Sequence, residues 1–177
     1  MPKILIVDED NNEIGSADME YAHQNGIAHR IVRVFLFNSN GQLLLQKRSK
    51  EMSFPGLWDQ SVGGHVDEGE TNLLAAKREA AEEIGIYDLE LKVLGTYYSE
   101  TDVSSSGVNL RRFNILYAAT ADSPIKSDPY EVEEVKWVFI NELKAQMLIS
   151  PHDFTKGLCE ALEQYEKFLV DMDNKKT

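Results

Sequence analysis

Hydrophobic and polar positions alternate, or gather into short β-branched and aromatic runs, at residues 3–7 (KILIV), 29–37 (HRIVRVFLF), 43–48 (LLLQKR), 89–99, 111–120 and 135–140. Runs of that length, bounded by Gly, Pro, Asn and Asp, predict strands. Asn40-Gly41 marks a two-residue hairpin between the second and third runs. The acidic DEDNNEIG after the first run imitates the start of an EF-hand loop. Its sixth position is Glu13 and its twelfth Met19, which excludes calcium chemistry and leaves a polar hairpin turn. Ser16 is placed to cap a short helix through Tyr21 and His23, which Gly26 stops. Phe54-Pro55-Gly56-Leu57-Trp58 makes a rigid aromatic turn into a strand ending at Gly63-Gly64. The polar DVSSSGVN joins the fourth and fifth runs through a loop expected to be mobile.

A helical period appears twice. Near the C-terminus, Phe154, Leu158, Leu162, Tyr165 and Leu169 form one apolar stripe, with Ser150 as N-cap, Pro151 as first residue and DNKKT as a frayed tail. In the middle, GHVDEGETNLLAAKREAAEEIGI (residues 64–86) passes from a Gly-Gly turn through an acidic loop into a helix that Gly85 ends. Its core-facing stripe is read as Leu73, Leu74, Ala80, Ala81 and Ile84. At about 100° per residue, Glu82 and Glu83 lie within about 60° of Glu79, so three carboxylates share one wall. Like charges so placed repel, and the macrodipole opposes them in the last half of a helix. Such a cluster suits a hard divalent cation such as Mg²⁺.

Composition narrows the classes. The 177 residues suit one domain, and 42% hydrophobic with 27% charged residues is ordinary for a soluble protein. A net charge of −12 excludes a general nucleic-acid or anionic-membrane binder. The single Cys159 excludes an internal disulfide and lies on the terminal helix, half-buried and inert. No apolar run reaches membrane-spanning length, and the acidic opening does not fit a signal peptide, so a cytoplasmic location is expected.

The spacing Gly64, Glu70, Arg78-Glu79, Glu82-Glu83, Gly85-Ile86 resembles the Nudix box, with every defining position filled and Ala80 in its aliphatic slot. The resemblance implies an α/β fold, the Nudix α/β/α sandwich with a mixed central sheet. Residues 28–177 would be the Nudix domain, with 1–27 a strand and helix extension packed on it. It also implies hydrolysis of a small-molecule diphosphate, a nucleoside diphosphate linked to another group. Glu79, Glu82 and Glu83 would hold Mg²⁺, or Mn²⁺ as the alternative, and Glu70 and Arg78 complete the catalytic set. Arg78 is expected to pair with Glu70 or another box glutamate. Glu79, Glu82 or a loop residue among Glu131, Glu133 and Glu134 would act as base.

The resemblance extends further. The segments DEDNNEIG, VFLFNSNGQLLLQKRS and FPGLWDQSVGGH are similar to type I isopentenyl-diphosphate isomerases. Those enzymes need a cysteine before the box, in a pattern close to WTNSVCGH, and here that slot is Gly63. Their metal site uses three histidines and two later glutamates. His23, His29 and His65 stand near the matching positions, with the first two six residues apart rather than seven. The strand due to carry the glutamates reads Asn109, Leu110, Arg111, Arg112, Phe113, Asn114. Taken singly, His23 reads as a surface helix residue and His29 as a strand-edge residue.

For substrate contacts, Gly63 and Gly64 would let the strand backbone come close. Of the adjacent pairs Lys47-Arg48 and Arg111-Arg112 only one member can face a site, and Arg48 and Arg112 are preferred. Trp58, Tyr97 and Tyr98 offer rings for stacking a base. Two readings compete with a hydrolase, an isoprenoid diphosphate isomerase and a non-catalytic nucleotide sensor. The substrate, and whether the chain forms a homodimer, stay open.

Overall fold

The structure, a computed structural model, describes residues 3–103 and 108–175. Its centre is the strand β3 (His29–Phe37), whose alternate residues look to opposite faces. Val32, Val34 and Leu36 enter one core and Phe35 the other. On one side β3 runs parallel to β8 (Val108–Thr120) over nine residue pairs, and β8 in turn pairs antiparallel with β7 (Lys92–Val103). On the other, β6 (Val62–His65) lies antiparallel to the first half of β3. The hairpin partner β4 (Leu43–Arg48) leaves β3 at Phe37 and Leu43 and pairs with β5 (Trp58–Asp59) and β9 (Val132–Val138). The remaining edge is the hairpin of β1 (Lys3–Val7) and β2 (Glu13–Asp18). One parallel pairing within an otherwise antiparallel array makes the sheet mixed.

Helices cover both faces. The helix α2 (Asn72–Ile84) packs Ala75, Ala76, Ala80 and Ile84 onto Val32, Val34 and Leu36. The helix α4 (Lys156–Asn174) packs Leu158, Ala161 and Leu162 onto Phe35, Leu45 and Leu116. The result is the expected α/β/α sandwich. Small side chains on α2 keep the helix close to the sheet, which positions its next turn of glutamates.

Several sequence expectations are corrected. The α2 stripe does not contain Leu73 and Leu74, which are 44% and 57% exposed. Three alanines take the inward face because the helix lies too near the sheet for leucine. Ser16 belongs to β2, and Asp18 caps α1 (Met19–Gln24) by accepting the Glu20 and Tyr21 amides; an Asp one residue before the helix outcompetes a Ser two residues earlier. Residues 140–149 form a further helix, α3 (Ile140–Ile149), which its scattered apolar residues did not announce. Ser150-Pro151 opens only a 3₁₀ turn, Pro151–Asp153, and α4 starts after Thr155, whose hydroxyl accepts the Leu158 amide at 3.1 Å. That helix continues to Asn174 rather than fraying at Asp173. In the DEDNNEIG turn, Asp8 accepts from the Asp10 and Asn12 amides, as a polar hairpin turn requires. Residues 104–107, at the centre of the DVSSSGVN loop, lie outside the described residues.

A stability contrast follows from the two leucine environments. Leu158→Ala should lower the unfolding free energy by about 2–5 kcal/mol, because it empties a fully buried position between α4 and the sheet. Leu74→Ala on the exposed side of α2 should change it by less than about 0.5 kcal/mol. Urea titration followed by far-UV circular dichroism measures both.

Candidate active site

The site is built where α2 passes the glycine pair of β6. Thr71 caps the helix through the Leu74 amide, and Gly85 closes it in the left-handed conformation at φ 70°. Along this helix Glu79 and Glu83, one turn apart, flank the alanine face and point at β6. Any Cβ at Gly64 would run into the Glu79 carboxylate. The Gly63 amide donates to Glu83 Oε2 at 3.2 Å, and Gln46 Nε2 donates to the same oxygen at 2.7 Å. Both glycines leave room a side chain would fill: a Cβ at Gly64 would meet Glu79, and one at Gly63 would meet Gln60 Nε2 at 2.5 Å.

Arg78 ties the acidic loop to the helix and the strand. Its Nε and Nη2 donate to the two oxygens of Glu70 at 3.0 Å each, a bidentate pair. Its Nη1 donates to Glu79 at 2.7 Å and Glu82 at 3.1 Å, and its Nη2 also reaches the His65 carbonyl at 2.9 Å. Glu70 in turn accepts the Asp67 amide. One guanidinium therefore bonds three carboxylates and has a fourth, Asp67, at 3.8 Å. Burial holds the Glu79 carboxyl up at about 7 in spite of Arg78, with Glu82 and Glu131 adding to the rise. Glu83 is pushed well above the usual carboxylate range by burial and by Glu79. The carboxylates exceed the positive charge within reach, and they face a cavity of about 730 Å³.

A divalent ion suits this arrangement. Glu79 and Glu83 are buried acids whose charged forms lack a full complement of partners, and Glu82 is half-exposed at the mouth. Glu131 also reaches the cavity, its carboxyl raised by burial and by Asp128. Glu133 is drawn away by Lys47 at 2.9 Å, and Glu134 lies on the surface.

The opposite wall is basic. Arg48, bonded to Asp59 at 3.1 Å, and Arg112 line the cavity. Lys47 and Arg111 turn away to Glu133 and Glu100. Arg33, which the sequence reading passed over, lines the same wall from the middle of β3. Its signal was present: a charge in mid-strand with Ile31, Val32, Val34 and Phe35 on either side, as Gln46 directly follows three leucines. The aromatic expectation fails for geometric reasons. The Trp58 ring carries the Lys136 ammonium 3.9 Å from its centre, Tyr97 belongs to the α4 core and Tyr98 packs on Phe113. The aromatic side chain on the cavity is Phe54.

His23, His29 and His65 are neither surface nor edge residues but a cluster, with ring centres 5.0, 5.3 and 5.2 Å apart. Their ligating atoms lie within 4.8 Å of one another. His29 Nδ1 donates to the Ile27 carbonyl at 3.0 Å, and the Nε2 atoms of His23 and His29 are buried without a partner. No carboxylate joins the cluster among the described residues. Arg112, directly opposite His29 in the β3–β8 register, stands beside it instead. Burial and this guanidinium lower all three imidazoles, His29 to about 4, so they are neutral at physiological pH. Three neutral nitrogens facing a cation do not reproduce the acid-completed metal site of the isomerases.

Comparison with known proteins agrees with the geometry. The family model for the NUDIX domain matches residues 28–158. An isopentenyl-diphosphate Delta-isomerase of Serratia proteamaculans is 33% identical over 153 residues, covering 86% of this chain and 84% of that protein. A Yersinia pestis protein named only as an uncharacterized Nudix hydrolase is 31% identical over 158 residues, covering 89% and 81%. A crystal structure from Deinococcus radiodurans superposes with a TM-score of 0.74 at 27% identity, covering 92% of this chain and 98% of that one. No helix among the described residues is long and apolar enough to cross a membrane. With its sandwich fold, its complete box and a family match spanning most of its length, the chain belongs to the NUDIX family.

Proposed function

We propose that this protein is a Mg²⁺-dependent pyrophosphohydrolase that cleaves the diphosphate of a nucleoside diphosphate linked to another group, or a related diphosphate. The observation that carries this reading is the buried pair Glu79 and Glu83, held against Gly63 and Gly64 with more negative charge than Arg78 offsets. Glu79, Glu83 and Glu82 would hold the ion. An ion held there would neutralise diphosphate oxygens and lower the pKa of a water. The chain's own residues do the rest. Arg78 and Glu70 fix the loop so that the carboxylates do not move apart under their own repulsion. A water attacks phosphorus, its proton passes to a carboxylate on the cavity wall, and the bridging P–O bond breaks with the second phosphate leaving. Glu131, Glu79 and Glu82 all stand on that wall as candidates for the base.

The isomerase reading is favoured by the relatives' names and by the meeting of His23, His29 and His65 in one cluster. Two features weigh against it. Glycine occupies position 63, where the resemblance expects the thiol, and it has no side chain to carry a proton. Arg112 stands beside the histidines where acidic ligands are expected. Incubation with isopentenyl diphosphate in deuterated water should therefore give no deuterium incorporation by mass spectrometry; incorporation at a catalytic rate would reverse the assignment.

Glu83→Gln should reduce cleavage of a nucleotide-sugar or dinucleotide panel, read by chromatography of the two phosphate monoesters, by about 100-fold or more, while circular dichroism stays unchanged. Undiminished cleavage would remove the proposed role. A second expectation concerns the metal-free protein. The Glu79 carboxyl sits at about 7, above the ordinary ~4.3 of the unfolded chain, so the folded state binds the proton more tightly. That contribution is complete below the unfolded value and is lost as pH rises through about 7. In chelator, the stability difference between wild type and Glu79→Gln should widen in favour of the variant from about pH 5 to about pH 8. Adding Mg²⁺ at the upper end should raise the melting temperature of the wild type alone.

A further inference from the structure

The diphosphate chemistry leaves two buried cations on the far wall without a task. Arg33 is 4% exposed and seated in a slot. Its Nε donates to Asn114 Oδ1 at 2.8 Å and its Nη1 to Gln60 Oε1 at 2.6 Å. Gly157, at the start of α4, comes so close that a Cβ there would meet Nη2 at 2.7 Å. Arg112 arrives from the neighbouring parallel strand. Its Nη2 donates to Thr101 Oγ1 at 2.8 Å, and its Nε is buried with no partner.

These contacts satisfy geometry but not charge. Amides and a hydroxyl are neutral, and among the described residues neither arginine forms an ion pair. The nearby acids are engaged elsewhere, Asp59 by Arg48 and Thr155 and Glu160 by Lys156. Burial and the repulsion of Arg33 pull Arg112 down to about 10. Leaving a buried charge unpaired is strongly unfavourable, and this fold leaves two side by side. Both line the cavity that Glu79 and Glu83 also line.

We propose that Arg33 and Arg112 form the docking subsite for a second anionic group of the substrate, a phosphate monoester or carboxylate carried on the group attached to the diphosphate. The inference rests on the pyrophosphohydrolase reading of the same cavity. Arg33 spends Nε and Nη1 on Asn114 and Gln60 and keeps Nη2 as a further donor, Arg112 brings its charge to the same cavity, and a planar guanidinium matches either oxyanion. The slot of Asn114, Gln60 and Gly157 fixes Arg33 in advance, so little side-chain freedom is lost when the anion arrives. A hydrocarbon chain in this place would leave both cations unpaired and dry. The subsite thus selects against isoprenoid diphosphates as well as for a doubly anionic ligand.

Matched ligand pairs test this: UDP-glucose against UDP-glucuronate for the carboxylate, and dephospho-coenzyme A against coenzyme A for the phosphate monoester. Affinity is read by calorimetric titration of the full chain, and cleavage to the two phosphate monoesters is followed separately by chromatography. Wild type should bind the more anionic member of one pair about tenfold more tightly, equivalent to ~1.4 kcal/mol, and the pair that responds identifies the group. Arg112→Gln should bind both members alike. Arg112→Lys, which keeps the charge but loses the fork, should show a reduced preference. Equal affinity within both pairs for the wild type, or an undiminished preference in either variant, would overturn the proposal. A preference without cleavage would leave the subsite standing and remove the hydrolase reading, whereas cleavage without a preference would do the reverse.

Discussion

Burial of two carboxylates against a strand of glycines is the constraint around which this protein is arranged. Glu79 and Glu83 cannot both be charged, dry and adjacent without a compensating cation, and Arg78 is shared among three acids. The arrangement persists because the surrounding structure over-determines it. Alanines bring α2 onto the sheet, Gly64 removes the side chain that would block Glu79, and Gln46 with the Gly63 amide grips Glu83. The uncompensated charge that makes the site costly to fold is what makes it ready for a divalent ion.

Charge in the cavity is sorted by face of the sheet. Acids reach it from α2, which packs on the face of Val32 and Val34, whereas Arg33 and Arg112 reach it from the face that α4 covers. The polarity of the site follows from strand alternation, since neighbours on β3 look in opposite directions. A diphosphate compound lying across the glycine strand would meet metal-binding acids at one end and guanidinium groups at the other.

The chain is similar to isopentenyl-diphosphate isomerases over most of its length, and α1, β3 and β6 bring its three histidines within contact of each other. The charge beside them is positive. Arg112 in the register position opposite His29 opposes a cation there, and Gly63 has no side chain to carry a proton. A few side chains at the junction of β3, β6 and β8 thus carry the chemical distinction, while the packing of the sandwich is indifferent to them.

The sequence by itself determined most of the strands, the box and its helix, because these rest on local periodicity, capping and spacing; it missed β2 and the inner ends of β7 and β8, which pairing with a neighbour strand completes. The hairpin at Asn40-Gly41 forms as well, although it closes between Asn38 and Gln42 around three residues rather than two, and the Glu70–Arg78 pairing follows from the resemblance to the box. Tertiary structure alone decided which face of α2 is inward, since Leu73 and Leu74 outrank three alanines in hydrophobicity but not in fit to a closely packed sheet. It also decided that His23, His29 and His65 meet, and that Arg33 and Arg112 become neighbours from strands 79 residues apart in sequence, 112 − 33, through a parallel pairing. Proximity of that kind is set by sheet register, a cooperative property of the whole fold that no single segment carries.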